Sequence, residues 1–484
     1  MQNLWQSARQ ALQTYWGYGD FRPPQDTVVK ALLAQQDAVI VLPTGFGKSV
    51  CFQIPAVIGE GLTLIVSPLI ALMQDQVQDL WKRRLPAACW HSHTDKALKQ
   101  RIRTAIRENR LRLLYLSPET LLSPSVWELI RDPQTRLQGL IVDEAHTLVH
   151  WGDSFRPDYR RLGCIRRSLG KAFPVAAFTA TADPYTQWVL EQVLELRDPE
   201  VVRINPLRRQ IRLQVQTVWS QAQRQGVLLG FLRQQLPASG LIYVRTRNDG
   251  EELAAWLEQQ GYTTAAYHAG ISPGRRTELE QAWLQGSLTF LVCTNAFGMG
   301  INKPDCRWVL HYHPPLSPTD YIQEVGRAGR DGQPATALML VCEPTGWLDP
   351  SDRQRQDFFL AQRQAIHKQA LALLPHLPTS GNYTQLLHQA RDPLGFKLAL
   401  ALLHQAGCLH WQDPFHFQIR HRPKTLDPPL PAALRSQLRD PLAVMHRLSY
   451  GRQCRWQVLL EAFGYGAQPP CGTCDRCQEL ARPQ

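Results

Sequence analysis

Short apolar runs, each closed by a turn and followed by a polar stretch of helical period, set the rhythm of the first two-thirds of the chain. In the first stretch the runs are DAVIVL, LTLIVS, LRLLYLS, LQGLIVD and FPVAAFTA. Runs of this kind lack the alternation of a half-exposed strand. They read as strands buried on both faces, the habit of parallel sheets covered by helices. A second stretch repeats the pattern in SGLIYV, TTAAYHA, LTFLVCT, CRWVLHY and ATALMLV. INPLRRQIR, near residues 204–212, interrupts it and reads as a hinge. The pattern therefore predicts an α/β protein with two doubly wound parallel sheets in series, over residues 1–205 and 206–345.

After about residue 344 the style changes. EPTGWLDPSDR is rich in turn formers and reads as a linker, and residues 353–375 have helical composition. Residues 382–421 read as helix, helix and two short strands. That order fits a small winged helix or an unrelated helical spacer, and the pattern leaves both open. HRPKTLDPPLP then breaks the pattern, and a last helical stretch leads into a group of cysteines. The third region is thus 346–430 and the fourth 431–484. No heptads, low-complexity tract or short-period repeat is visible.

The 484 residues exceed one core and call for two to four domains. Hydrophobic residues make up 44% and charged residues 19%, ordinary for a soluble chain. The net charge of +12 and pI of about 9.3 suit a polyanionic partner, usually nucleic acid, or simply a basic enzyme. No run approaches the ~18 apolar residues of a membrane span. The first residues, MQNLWQSARQALQTYW, carry no signal-peptide core. A reducing compartment is expected, cytoplasmic and nucleoid-associated. Of eleven cysteines, Cys51, Cys89, Cys164, Cys293, Cys306, Cys342 and Cys408 are scattered among apolar neighbours and read as small buried hydrophobes. Cys454, Cys471, Cys474 and Cys477 cluster, and in a reducing compartment a cluster points to metal.

TGFGKS follows the strand AVIV and opens a helical stretch, the strand–loop–helix context of a phosphate cradle. Gly45 and Gly47 let the backbone approach, Thr44 completes the loop, Lys48 would reach the β/γ-phosphates and Ser49 would hold Mg²⁺. The position where such loops usually begin with Gly holds Leu42. LIVDEAH places Asp143 and Glu144 at the end of another apolar run, about ninety residues later. Asp143 can coordinate Mg²⁺, and Glu144 can orient and deprotonate the attacking water. Four thiolates at CRWQVLLEAFGYG and CGTCDRC suit one tetrahedral Zn²⁺, with an iron–sulfur cluster as the competing reading.

DEAH with TGFGKS, FTATA and QEVGRAGR resembles superfamily 2 helicases, in which the first Gly of the loop is often replaced. WGYGDFRPPQ, SPLIALMQDQV, WGDSFRPDYRRLG and TNAFGMGINKPD narrow the resemblance to the RecQ DNA helicases, over about residues 4–345 and again over 450–480. The resemblance implies two tandem RecA-like lobes, a mostly helical C-terminal region and a structural four-cysteine zinc subdomain. In WGYGDFRPPQ it makes Tyr18, Arg22 and Gln25 the adenine-recognition residues, with Trp16 standing where the family usually has Phe. It makes Gln323, Arg327 and Arg330 second-lobe catalytic residues, with Arg330 as the finger on the γ-phosphate. It gives Ser67, Gln74 and Ser117 contacts to the phosphate backbone, and it makes Trp151, Phe155 and Arg156 the base-stacking loop. Thr179 and Thr181 would link the DEAH strand to the interlobe cleft. For Tyr18, Arg22, Trp151 and the two threonines the alternative is ordinary packing.

The resemblance implies an ATP-dependent 3′ to 5′ DNA helicase using ATP, Mg²⁺ and Zn²⁺, acting on single-stranded and branched DNA in repair and recombination. The expected state is a monomer, with single-strand-binding protein or topoisomerase as candidate partners and no membrane association. The chain departs from the family in two places. About a hundred residues separate the second lobe from the zinc cysteines. The chain also runs only seven residues past Cys477, short of the winged helix and HRDC-type (helicase-and-RNase-D-like C-terminal) domain that the family carries there. A DNA-stimulated ATPase that translocates or anneals strands without unwinding is the alternative.

Overall fold

The computed structural model describes residues 2–150, 157–297, 303–422 and 429–481, the side chains of residues 150, 363, 480 and 481 excepted. The chain falls into two units. The first comprises Met1–Leu42, Phe46–Ile204 and Gln362–Ser436; the second comprises Pro43–Gly45, Asn205–Ala361 and Gln437–Gln484.

The apolar runs of the first stretch become the strands of one parallel sheet: β1 (Ala38–Val41), β2 (Leu62–Val66), β3 (Ala87–Trp90), β4 (Leu113–Leu116), β5 (Leu137–Val142), β6 (Val175–Thr179) and β7 (Glu200–Arg203). Their order is β3-β4-β2-β5-β6-β1-β7. β1, β2, β4 and β6 are buried along their whole length because helices cover both faces. Three of those helices matter below: α1 (Lys48–Ile58), α2 (Ile70–Lys82) and α3 (Lys96–Arg107). The two faces carry separate apolar layers, one around Leu64, Leu114 and Val142, the other around Ile40, Phe52 and Phe178.

The second unit repeats the scheme with β8 (Ile211–Val218), β9 (Gly240–Tyr243), β10 (Ala266–Tyr267), β11 (Phe290–Cys293), β12 (Trp308–His311) and β13 (Ala335–Cys342), in the order β10-β11-β9-β12-β13-β8. Every pairing is parallel. Gly240 is glycine for a spatial reason: a Cβ there would lie 2.0 Å from the Trp308 ring. Helix α4 (Pro318–Val325) follows β12, and α5 (Ser351–Leu373) follows β13. The division between the units falls inside α5.

From Gln362 onward the third region belongs to the first unit, whereas its first residues, up to Ala361, belong to the second. After α5 come β14 (Ser380–Asn382), α6 (Tyr383–Gln389), α7 (Pro393–Gln405), β15 (Leu409–Asp413) and β16 (His416–Ile419). The three strands form an antiparallel sheet in the order β14-β16-β15. Helix, strand, two helices and a hairpin whose last strand lies in the middle is the topology of a winged helix. Its core is Phe396, Leu400, Leu403, Trp411 and Phe417.

The chain ends in the second unit with α8 (Pro441–Tyr450), α9 (Arg455–Ala462) and α10 (Asp475–Ala481). β8 is an edge strand, and α10 covers it: the Asp475 carboxylate accepts the Val215 N–H at 3.0 Å and pairs with both ends of the Arg455 guanidinium at 2.9 Å. One amide of the strand's open edge is thereby satisfied and the helix covers that edge. No described helix is long and apolar enough to cross a membrane.

Candidate nucleotide and nucleic-acid sites

The C-terminal ends of three adjacent strands, β5, β6 and β1, carry DEAH, the threonines of FTATA and TGFGKS. Gly45 and Gly47 take φ +88° and +70°, left-handed values that favour glycine. Gly47 caps α1, and no side chain satisfies that cap. The first-turn N–H groups thus stay open, the arrangement that receives a phosphate. Leu42 is wholly buried and donates its N–H to the Thr179 carbonyl at 3.0 Å. The first position of the motif therefore continues the β1–β6 ladder one residue past β1 and lies in the core, so a large apolar residue belongs there. Lys48 Nζ donates to the Leu42 carbonyl at 3.2 Å.

Ser49 Oγ accepts from Gln76 Nε2 at 3.1 Å, and Gln76 Oε1 accepts from Gln53 Nε2 at 2.8 Å. Gln25 is buried and ties the WGYGDFRPPQ segment to the loop: its Nε2 donates to the Phe46 carbonyl at 2.8 Å, and its Oε1 accepts the Arg22 N–H at 3.0 Å. Tyr18 and Arg22 are exposed, as two faces about to hold a planar base must be. Trp16 packs on the core beneath the Arg83 guanidinium at 5.5 Å.

Asp143 is buried, and its carboxylate accepts the Glu144 N–H at 3.0 Å. Burial first, and the Glu144 charge second, push it up to about 7, with Lys48 opposing. The Glu144 charge and the Lys48 charge act on Asp143 in opposite senses, and a divalent cation on Asp143 and Ser49 would add the positive charge that favours the ionised carboxylate. Glu144 adopts φ +47°, a strained value for a residue with a side chain. His146 Nδ1 lies 3.4 Å from Glu144 Oε2 and 3.1 Å from Thr179 Oγ1. Thr179 Oγ1 also donates to the Thr181 carbonyl and accepts the Thr181 N–H. His146 Nδ1 thus stands between the Glu144 carboxylate and the Thr179 hydroxyl at the end of β6.

The lobe's candidate DNA residues divide. Gln74 is exposed on α2. Ser67 is 1% exposed, and its hydroxyl, just past β2, has no hydrogen-bond partner among the described residues. Ser117 caps a short helix, accepting the Thr120 N–H. Trp151, Phe155 and Arg156 lie outside the described residues.

In the second unit Gln323 stands on α4, and Arg327 and Arg330 follow it. Arg208 donates to the carbonyls of Gly326 and Gly329, each at 2.7 Å, fixing the turn that carries both arginines. Burial, together with Arg327 and Arg208, pushes Arg330 down to about 10. The Arg208 and Arg327 guanidiniums thus repel that of Arg330, a repulsion that a neighbouring anion would relieve.

The four clustered cysteines are buried, with all Sγ atoms within 4.8 Å of one another. Sγ separations of 3.5, 3.8 and 3.9 Å bracket the ~3.8 Å edge of a tetrahedron with 2.3 Å metal–sulfur bonds. The N–H groups of Thr473 and Cys474 point at Cys471 Sγ, and that of Cys471 at Cys454 Sγ. Donors aimed at sulfur favour thiolates, so the residues present fit a metal.

The winged helix packs its second helix and its hairpin against the first lobe. The second helix of such a motif ordinarily enters the groove. Here α7 faces the first lobe: Lys397 pairs with Asp158 at 3.4 Å, and Gln405 bridges Arg160 and the Tyr185 hydroxyl. The hairpin tip does the same. Arg161 donates to the Pro414 carbonyl at 2.7 Å, Arg167 donates to the Trp411 carbonyl at 2.6 Å, and Phe415 meets Trp127 edge to face. At the centre Asp158 pairs with Arg161 and accepts from the Tyr383 hydroxyl at 2.9 Å, while the Arg161 guanidinium covers the Tyr383 ring at 4.0 Å.

Two family models match the chain: DEAD/DEAH box helicase over residues 22–188, and helicase conserved C-terminal domain over 223–332. The ATP-dependent DNA helicase RecQ of Synechocystis is 51% identical over 98% of this chain and 98% of its own length. The chain belongs to the RecQ family of ATP-dependent DNA helicases. The probable ATP-dependent DNA helicase RecS of Bacillus subtilis is 33% identical over 97% of this chain and 91% of its own length. Among solved structures, S. cerevisiae Dbp5 bound to RNA and ADP BeF3 aligns with a TM-score of 0.57 at 17% identity, covering 73% of this chain and 92% of that one. That likeness speaks for the fold alone. Within this RecQ-family chain, Gln76, Arg208 and the Asp158–Arg161–Tyr383 group escaped the sequence reading. Gln76 stood inside a motif already quoted and Arg208 inside the hinge. Asp158 and Arg161 stood inside the quoted WGDSFRPDYRRLG, but nothing local marked their pairing with Tyr383.

Proposed function

We propose that the protein is a motor that hydrolyses ATP to move 3′ to 5′ on single-stranded DNA and to unwind duplex or branched DNA during repair and recombination. The observation that carries the reading is the line from Lys48 and Ser49 through Asp143, Glu144 and His146 to Thr179, set on three neighbouring strand ends in a RecQ-family chain. ATP binds with its phosphates on the loop Thr44, Gly45, Gly47 and α1, and with its base between Tyr18 and Arg22 beside Gln25. Mg²⁺ sits on Ser49 and Asp143. Glu144 orients and deprotonates water, with His146 holding its carboxylate. Gln323, Arg327 and Arg330 supply the second lobe's charge to the γ-phosphate; an arginine in that role contributes about 10³–10⁵ in rate. Zn²⁺ on Cys454, Cys471, Cys474 and Cys477 is structural, since four protein ligands leave no open position. Ser67, Gln74, Ser117, Trp151, Phe155 and Arg156 contact DNA. The direction of travel and the repair role come from the family alone. We further propose a monomer at work in the cytoplasm, on the nucleoid.

The test is ATP hydrolysis measured without nucleic acid and with single-stranded DNA, duplex DNA or RNA, for the intact protein and Lys48→Ala. The reading requires strong stimulation by single-stranded DNA, weak stimulation by RNA and no turnover in the variant. Equal stimulation by RNA, or none by DNA, would contradict it.

A further inference from the structure

At the free edge of the first sheet, β3 ends in a turn that carries His91 and His93, with ring centroids 6.1 Å apart. His91 Nε2 lies 3.3 Å from Gln74 Nε2, so the turn adjoins a residue already assigned to the DNA backbone. Burial, with His93 and Lys99 adding, holds His91 below the usual histidine range, which puts Lys99 within electrostatic reach of the turn. Asp95 then caps α3 by accepting the Leu98 N–H at 2.7 Å.

Helix α3, KALKQRIRTAIR, carries five cations and no acid. Ile102 and Ile106 are buried against the sheet. Lys96, Lys99, Arg103 and Arg107 fall at i, i+3, i+7 and i+11, a single stripe along the helix. Arg103 lies over the Trp90 ring at 5.3 Å, on the β3 side. Among the described residues no carboxylate forms an ion pair with any of the five, whereas nearby Arg110 pairs with Glu108 and Arg83 with Asp79. A run of unpaired cations is unfavourable in a folded protein unless an anion comes to it. At 1.5 Å per residue the stripe is about 16 Å long, a length of duplex axis over which each strand carries about five phosphates. Helix α3 itself carries no aromatic residue, and Trp90 beneath Arg103 is 3% exposed; the exposed Trp81 stands on α2 and donates to the Ala87 carbonyl at the far end of β3. A surface with cations and no stacking platform suits DNA whose bases are hidden in pairs, rather than a single strand.

We propose that His91, His93 and the α3 stripe form a site for the phosphate backbone of duplex DNA, continuing the first lobe's track beyond Gln74. The site rests on the DNA-helicase reading above and assigns to the lobe a hold on the part of the substrate still to be unwound. It reads no sequence.

The test uses Lys96→Gln/Lys99→Gln/Arg107→Gln in the full chain, three exposed or half-exposed side chains whose loss leaves the core intact. A control variant, Arg233→Gln/Arg391→Gln/Arg435→Gln, removes the same charge elsewhere. Binding of a blunt duplex is measured across a salt series, beside single-strand-stimulated ATP hydrolysis. The site predicts roughly tenfold weaker duplex binding for the stripe variant. It also predicts a log K against log salt slope shallower by about two to three, with hydrolysis within about twofold of the parent. Unchanged duplex binding overturns the site, and so does an equal loss in the control, which would reflect bulk charge. Reduced binding to anionic lipid vesicles with duplex binding intact overturns it in favour of a membrane surface. Failure of the parent to hydrolyse ATP on single-stranded DNA would instead strike the helicase reading, which the duplex isotherms do not measure.

Discussion

Glu144 is held in a left-handed conformation between a buried aspartate and His146. Strain of that kind persists where the surrounding structure overdetermines it. Glu144→Gln keeps the shape and removes the base, so hydrolysis should fall by roughly 10²–10⁴ while nucleotide affinity stays close to the parent's, as read by single-turnover hydrolysis and nucleotide titration. Thr179→Val removes the hydroxyl that meets His146 Nδ1 and the Thr181 N–H. Leaving buried polar groups unpaired costs about 1–3 kcal/mol. We expect hydrolysis without DNA to persist and stimulation by single-stranded DNA to drop severalfold. Equal losses in both rates would mean Thr179 only supports the fold. These residues were legible because each sits in a short motif at a strand end. The strain at Glu144 and the Ser49–Gln76 bond were not, since a backbone dihedral and a partner 27 positions away leave no local signature.

At the scale of elements, the strands announced themselves through apolar runs that could only be buried on both faces, and the spacing of the four cysteines announced their buried cluster. Where the third region would lodge was not legible. Tyr383 and Asp158 are 225 residues apart, and their bond follows from packing, not from any period in the chain. Arg161, with Lys397, holds Asp158 below the usual carboxylate range in spite of its burial. Tyr383→Phe should cost about 1 kcal/mol and Asp158→Asn about 3–5 kcal/mol, because the second strands a buried guanidinium. Urea melts followed by fluorescence would rank them; equal, negligible costs would show that the docking is loose. Cys474→Ala should lower zinc content from about one ion per chain and lower the melting temperature by several degrees, since α10 closes the edge of β8. An unchanged metal content would point away from the four-cysteine site.

Across the whole molecule, two features of charge govern behaviour in solution. His313 is 2% exposed, and burial, with Arg355, Arg224 and Arg245 adding, keeps it neutral well below the usual histidine range. The unfolded chain takes up a proton there below about pH 6.5, whereas the native chain does not. Native stability therefore declines as pH falls from about 6.5, by up to about 1.4 kcal/mol per pH unit for this one group. His313→Gln should flatten that limb of the stability profile, and an identical profile would assign the acid sensitivity elsewhere. The net charge of +12 predicts DNA binding that weakens steeply with salt. The most direct measurement of the central claim is strand displacement on duplexes carrying a 3′ or a 5′ single-stranded tail, with Lys48→Ala beside the intact protein. ATP-dependent displacement of the 3′-tailed substrate alone, lost in the variant, is the predicted result. Hydrolysis stimulated by single-stranded DNA with neither duplex displaced would contradict unwinding and leave a translocase.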